Sequence, residues 1–370
     1  MCAHGRTEPA ISEVSLSAVD VFSGCGGASR GFIQAGFNIL AAIEIDKTAA
    51  LSYGTNFPTV PVLQEDISAV DLSMLETRTS VRPGEVDVVI GCPPCQGFSA
   101  HRLNSSGAND PRNRLVQVFA DLILQVRPTA FVFENVPGML RHGGSVWPSF
   151  VEKVTAAGYT IRSAVLDAAN YGAPQHRKRF TAFGSLHGVI ELPEPSHGRS
   201  IGIPWVSVRE AFSGLQRLPP GACCVADRLH ASPVHTNRVV KLITAIPANG
   251  GSRRNIPSDY ILPCHRTHDG HRDVYGRLAW DKPSGTITGG CTQPSKGRFS
   301  HPEDHRGLTL REAARLQGFP DDHSFCGAKQ DIALQIGNSV PPPFAFALAK
   351  HLAVEIHGCL NLVHHRAKNE

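Results

Sequence analysis

Apolar and polar positions change period several times along the chain, and the changes mark out elements. Ala18 to Phe22 is a short apolar, β-branched run that stops at a Gly-rich turn, the pattern of a buried strand. Ala28 to Gly36 has helical spacing, and Asn38 to Ile45 predicts a second strand ending among acidic residues. Gln64-Glu65-Asp66 places Asp66 at the end of a third strand. Val86 to Ile90 is another continuous apolar run, ending at Gly91. Leu115 to Val126 is helical and closed by Pro128, and Ala130 to Phe133 is a strand running into Glu134. Phe150 to Ala157 predicts a helix stopped by Gly158, followed by strands at Ile161–Leu166 and Arg179–Phe183.

Strands alternating with helices imply an α/β fold: a mostly parallel, Rossmann-like sheet with helices on both faces. Ligands of such sheets lie beyond the carboxyl ends of the strands. The alternation fades from Leu186 to Ser300, where Pro, Gly, His and Arg are frequent, and a smaller irregular domain is expected there. Order returns at Thr309-Leu310-Arg311-Glu312, which fits a capping box opening a helix that Gly318 ends. A last helix is expected from Pro342 to about Ile356. The expected organisation is a tail at 1–15, a first lobe at 16–185, the irregular domain at 186–300, a return to the first lobe at 301–360, and a tail at 361–370.

Composition narrows this only a little. A chain of 370 residues suits two lobes, and no apolar run approaches the roughly 20 residues needed to cross a bilayer. Met1 to Glu13 is polar and does not resemble a secretory signal, so a cytosolic or nuclear location is expected. The ten cysteines form no regular framework and are expected to be reduced thiols. A net charge of +4 does not by itself announce nucleic acid. Arg253, Arg254, Arg266, Arg272 and Arg277 nevertheless crowd one region, which suggests a phosphate-facing surface as readily as a solvated loop.

Asp20-Val21-Phe22-Ser23-Gly24-Cys25-Gly26-Gly27 joins the first strand to the first helix. Its glycines let the backbone turn tightly and approach a ligand. Glu44 follows about 20 residues on, where a carboxylate can accept from ribose hydroxyls. Ser29 stands where the third glycine of a dinucleotide fingerprint would fall, which favours a nucleoside cofactor without a pyrophosphate. Gly91-Cys92-Pro93-Pro94-Cys95-Gln96 follows the strand at Val86–Ile90. Cys92 and Cys95 could be a redox pair, or Cys95 a single nucleophile in a Pro-framed loop. No thioredoxin-like layout accompanies the pair, whereas a nucleoside turn does.

Pro94-Cys95-Gln96 together with Glu134-Asn135-Val136 resembles the cytosine-5 DNA methyltransferases, of prokaryotic restriction-modification type. The likeness continues in order. Asp20 to Phe32 resembles the family's cofactor motif, and Asn109 to Leu115 the segment after its catalytic loop. Gln175-His176-Arg177-Lys178-Arg179, Arg311 to Pro320 and Gln335 to Pro341 resemble three further motifs. Cys92 departs from the pattern, because glycine is more usual at that position.

The resemblance implies S-adenosylmethionine as cofactor and duplex DNA as substrate, with the target cytosine turned out of the stack. It assigns Cys95 as the nucleophile that adds to ring carbon 6, and Glu134 as the group that hydrogen-bonds ring nitrogen 3. Arg177 becomes the cation favouring thiolate, Arg179 the partner of the cytosine carbonyl oxygen, and Asn135 a support of the loop. Phe22, Gly24, Gly27, Glu44, Asp66, Ile67, Pro94, Leu115, Asn338 and Val340 would line the cofactor pocket. Phe98 to Asn113 would close over the flipped base. Positions 186–300 correspond to the target-recognition domain, where Thr286-Ile287-Thr288-Gly289-Gly290 reads equally as a family segment or a plain turn. The resemblance further implies a cytoplasmic, nucleoid-associated monomer acting apart from any cognate restriction endonuclease. A tRNA-modifying branch is the alternative, but its Cys-Phe-Thr motif is absent. Cys264, His265, His268 and His271 have spacings that could suit zinc, but paired C-x-x-C and H-x-x-x-H spacings are missing, so no metal is expected.

Overall fold

A computed structural model describes residues 15–94, 113–257, 260 and 273–367, with side chains described up to 358. The zinc-like cluster at 264–271, Arg266, Arg272 and the loop from Cys95 to Arg112 lie outside those residues.

Among the described residues seven strands form one sheet: β1 (Ser17–Val21), β2 (Asn38–Ile43), β3 (Val62–Leu63), β4 (Val88–Gly91), β5 (Ala130–Asn135), β6 (Thr160–Asp167) and β7 (Lys178–Ser185). Their spatial order is β3-β2-β1-β4-β5-β7-β6. The pairs from β3 to β5 are parallel, and β7 runs antiparallel to both of its neighbours. The continuous apolar runs arise because both faces are covered. Val19, Val21, Val89, Phe131 and Phe133 face one core with Phe119, Ile123 and Phe150 of helices Arg114–Val126 and Val146–Ala156. The alternate residues Ala18, Val88, Ile90, Ala130 and Val132 face a second core. That core is closed by Phe32 of helix Gly27–Gln34 and by Phe344, Leu348, Leu352 and Ile356 of helix Pro342–Ala367. The two covering helices approach so closely that a methyl group on Gly31 would lie 2.4 Å from the Phe346 nitrogen.

Several expected boundaries move. β2 ends at Ile43, and Ile45 is exposed beyond it. β3 is only two residues long, so Asp66 lies past it and caps a short 3-10 turn through Ser68 N at 2.8 Å. Helix Lys47–Asn56 was not foreseen. The final helix continues through 361–367, where a tail was expected.

The expected boundary at 300 is crossed by a third core. Val208, Phe212, Leu278, Ile287 and Phe299 pack there with Leu310, Leu316, Phe319, Ile332 and Ile336. Helix Leu310–Gln317 has the expected capping box, with Thr309 Oγ1 accepting from Glu312 N at 3.1 Å and Glu312 Oε2 from Thr309 N at 2.9 Å. The same carboxylate receives both terminal nitrogens of Arg306, at 2.8 and 2.9 Å, deep in the core. Arg277, expected on a phosphate-facing surface, is instead 1% exposed. Its guanidinium donates to the carbonyls of Ile243, Ile246, His301 and Asp304, so hydrogen bonds satisfy the charge inside the protein. Arg253 is likewise buried. Among the described residues no helix is long and apolar enough to cross a membrane.

Candidate active site

Parallel pairing brings the carboxyl ends of the strands to one edge: Val21 lies beside Ile43 and Gly91, and Gly91 beside Phe133. The turn after β1 is strongly bent there. Phe22, Gly24 and Gly26 have φ of 59°, 56° and 92°. A left-handed Phe is costly and persists only where its surroundings impose it. Gly24 N donates to Glu44 Oε2 at 2.8 Å, and Asp46 N to Glu44 Oε1 at 2.8 Å. Burial raises the Glu44 carboxyl above its ordinary pKa, against those two amides. A side chain on Gly24 would meet no atom within 4 Å, so the turn opens to a ligand at this point. Gly27 is the opposite case, because a methyl group there would lie 2.0 Å from Ser339 Oγ and 2.4 Å from the Val340 carbonyl oxygen. The segment after helix Lys329–Asn338 therefore closes the turn from behind. Asp20 beneath it accepts from Ser29 N at 3.2 Å and Ser29 Oγ at 2.6 Å, and burial pushes its carboxyl up to about 7.

After β4, Cys92 N reaches the Val21 carbonyl at 3.4 Å. Asn135 Nδ2 donates to the Pro93 carbonyl at 3.1 Å, anchoring the foot of the loop that carries Pro94. Burial, reinforced by the charges of Glu134 and Asp20, holds the Cys92 thiol well above its usual pKa and keeps it protonated. Cys95 lies outside the described residues.

The reversal of β7 matters most here. An antiparallel strand starts where its parallel neighbours end, so Lys178–Arg179 opens at the carboxyl edge beside the end of β5, with Thr181 opposite Glu134. Arg179 Nε meets Glu134 Oε1 at 2.8 Å, each side chain 11% exposed. A carboxylate and a guanidinium thus sit together at the mouth of the sheet, next to the Pro-framed loop.

Comparison with known proteins agrees with this geometry. The model of the C-5 cytosine-specific DNA methylases matches residues 16–353. The chain is 36% identical to the type II methyltransferase M1.HphI of Haemophilus parahaemolyticus, covering 91% of this chain and 86% of that one. It is 32% identical to the type II methylase M.HgiDII of Herpetosiphon aurantiacus, over 92% and 96%. A solved Escherichia coli structure, described as a candidate DNA modification methyltransferase encoded within a prophage, superposes with a TM-score of 0.69 at 26% identity, covering 94% of this chain and all of that one. The chain belongs to the C-5 cytosine-specific DNA methylase family.

In this methylase the remaining expected site residues fall into two groups. Ile67 and Val340 are buried, Leu115 packs at the edge of the first core, and Asn338 is exposed at the end of its helix. Arg177 is buried and tied to the backbone of distant segments. Its guanidinium donates to the Ile287 carbonyl at 2.8 Å and the Gly337 carbonyl at 3.0 Å. Gln175 beside it donates to Leu316 O and Gln317 Oε1 and accepts from Ile287 N at 3.0 Å. Ser284 and Thr286 also bond to residues 174 and 176, so the threonine-bearing segment is a strap fixed to the Gln-x-Arg-x-Arg run. Sequence reasoning noted Ser29 only as the residue replacing a fingerprint glycine, and passed over Tyr53 and His323; Ser29 bonds Asp20 and Tyr53, and His323 reaches the Cys25 carbonyl.

Proposed function

We propose that this methylase transfers a methyl group to carbon 5 of cytosine in a specific duplex DNA sequence, through a covalent bond between Cys95 and ring carbon 6. The Glu134–Arg179 pair at the carboxyl edge carries the reading, within a family whose model spans the chain. The turn suits S-adenosylmethionine. Glu44 keeps lone pairs for ribose hydroxyls beyond the two amides it accepts, and Gly24 leaves an open approach. Phe22, Gly24, Gly27, Glu44, Asp66, Ile67, Pro94, Leu115, Asn338 and Val340 would hold it, and when bound it supplies an electrophilic methyl group.

Cytosine carbon 5 is a weak nucleophile, and attack by the Cys95 thiolate on carbon 6 makes it enamine-like. Glu134 stabilises that addition by bringing a proton that it shares with ring nitrogen 3, while Arg179 holds Glu134 and the ring carbonyl. Arg177 acts by locking the strap 284–288 and residue 337 against the active site, and its positive charge favours thiolate on the adjacent loop. Asn135 fixes the loop foot. A base, for which water is the candidate, takes the carbon 5 proton; the freed electron pair re-forms the ring double bond and expels Cys95 as thiolate, which regenerates the enzyme. Recognition of the target sequence is assigned to 186–300. The names of the type II relatives support a modification role. A separate cognate endonuclease and a monomeric, cytoplasmic, nucleoid-associated enzyme belong to the same proposal.

The test is incubation with tritiated S-adenosylmethionine and genomic duplex DNA, beside tRNA and a Cys95→Ser variant. Label recovered as 5-methylcytosine in DNA and lost in the variant is expected. Label in tRNA alone would overturn the DNA reading.

A further inference from the structure

The cofactor turn has an outer support that the reaction described above does not use. His323, five residues beyond the end of helix Leu310–Gln317 at Gly318, is 1% exposed. Its Nε2 lies 3.1 Å from the carbonyl oxygen of Cys25, in the middle of the bent turn. Asn56 Nδ2 lies 3.4 Å from the same nitrogen, but it donates to the carbonyls of Ser52 and Ser324, both at 2.7 Å, and has no hydrogen left to give. A carbonyl can only accept, so Nε2 carries the proton and donates it to Cys25. Nδ1 is then the bare nitrogen, and it is buried without a hydrogen-bond partner. The rings of Phe319, Phe325 and Phe57 surround the imidazole, with centroids at 4.4, 4.9 and 6.2 Å. Phe57 also fills the space beside Gly26, where a methyl group would lie 2.3 Å from its ring.

Burial of a polar nitrogen without a partner is costly, and a phenylalanine would fill this aromatic box without that cost. The benefit that offsets it is the single bond to Cys25. That bond fixes the peptide between Cys25 and Gly26, and with it the direction of the amides that precede it. The segment is held on the same side by Asn56, whose side-chain amide also accepts from Ser324 N at 2.8 Å, and by an Arg30–Asp322 ion pair. His323 therefore reaches the turn from a rigid base.

We propose that His323 is a positioning residue for S-adenosylmethionine: its Nε2–H holds the Cys25 carbonyl and keeps the turn 22–27 in its binding shape. This rests on the cofactor reading given above. Burial, with Arg30 adding to it, lowers the imidazole to about 3, so the support stays neutral at any working pH.

The experiment compares wild type, His323→Phe and His323→Gln. The first variant keeps the ring and removes the donor, and the second restores a donor at similar reach. Calorimetric binding of S-adenosylhomocysteine and steady-state kinetics are measured for each. His323→Phe is expected to weaken cofactor binding and raise the KM for S-adenosylmethionine about 5–10-fold, the range for one lost hydrogen bond to a buried carbonyl. Its kcat and its KM for DNA should stay within about twofold, and His323→Gln should recover most of the loss. Unchanged cofactor affinity in His323→Phe, or a loss confined to kcat, would overturn the proposal. Wild type that binds no cofactor would overturn the cofactor reading and this inference with it, whereas normal wild-type binding beside an unaffected variant overturns this inference alone. Independently of variant folding, the Nε2–H proton resonance of His323 should shift when wild type is saturated with S-adenosylhomocysteine, and an unmoved resonance also counts against it.

Discussion

Replacing Glu312 by Gln removes one charge from the buried ion pair with Arg306. Both side chains are at most 3% exposed, so water cannot take over the lost interaction. The carboxylate accepts from Arg306 twice and from Thr309 N once. A glutamine can accept with one terminus only, and its NH2 would confront a guanidinium nitrogen that also donates. Breaking a buried pair costs about 3–5 kcal/mol. Asp304 remains 3.1 Å from Arg306 Nη2, which argues for the lower end, about 3 kcal/mol. Unfolding entropy of about 2.1 cal/mol/K per residue over 370 residues gives roughly 0.8 kcal/mol/K, so the melting midpoint should fall by about 4 °C. Differential scanning calorimetry at neutral pH measures this, and the drop should persist in about 0.5 M salt because the pair is shielded from ions. The pairing holds the folded Glu312 carboxyl below its unfolded value, so its contribution is fully present above pH 4.5 and fades as pH falls through the folded value. The gap between wild type and variant should therefore close in acid. A midpoint within 1 °C of wild type near pH 7 would refute the reasoning.

Gly27→Ala should weaken cofactor binding at least tenfold, since Ser339 can rotate away but the Val340 carbonyl must retreat by about 1 Å; calorimetric titration would show it. Glu134→Gln should lower kcat by about 100-fold with DNA affinity retained by gel shift, a general acid–base loss; an unchanged kcat would remove Glu134 from the chemistry. His301 is pushed down to about 4 by burial, so the unfolded chain protonates first and stability is lost as pH falls from 6.5 toward 4. The loss amounts to about 2 kcal/mol by pH 5, read from urea unfolding of wild type against His301→Asn.

Much of the sheet was legible because strands buried on both faces leave unbroken apolar runs, as at Val86–Ile90 and Ala130–Phe133. The same symmetry hides direction: nothing in the apolar run Arg179–Phe183 distinguishes a parallel strand from the reversed one that brings Arg179 to Glu134. Helix Lys47–Asn56 escaped notice because its buried face is small or polar apart from Tyr53. Ser52 accepts from Cys326 N and donates to Gln335, and Asn56 pairs with Ser324, polar contacts that leave no apolar stripe. Arg277 misled because charge suggests a surface, while its donors happen to match backbone carbonyls from distant segments. The motifs named candidate site residues, but the use of Arg177 and Gln175 as ties among 287, 316 and 337 depends on long-range packing.

The closeness of Gly31 to Phe346 has a consequence for synthesis. One face of β1 and β4 is covered by a helix that the ribosome makes about 310 residues after helix Gly27–Gln34. At about 5–20 residues per second, that interval is roughly 15–60 s. During it, the core around Phe32, Val88 and Ile90 lacks the half of its cover that Phe344, Leu348, Leu352 and Ile356 supply, and the half-built sheet presents a surface that chaperones bind and that aggregates feed on. Production of this protein should therefore depend on growth temperature and chaperone supply more than its finished stability would suggest, and a chain cut before Pro342 should accumulate as insoluble material.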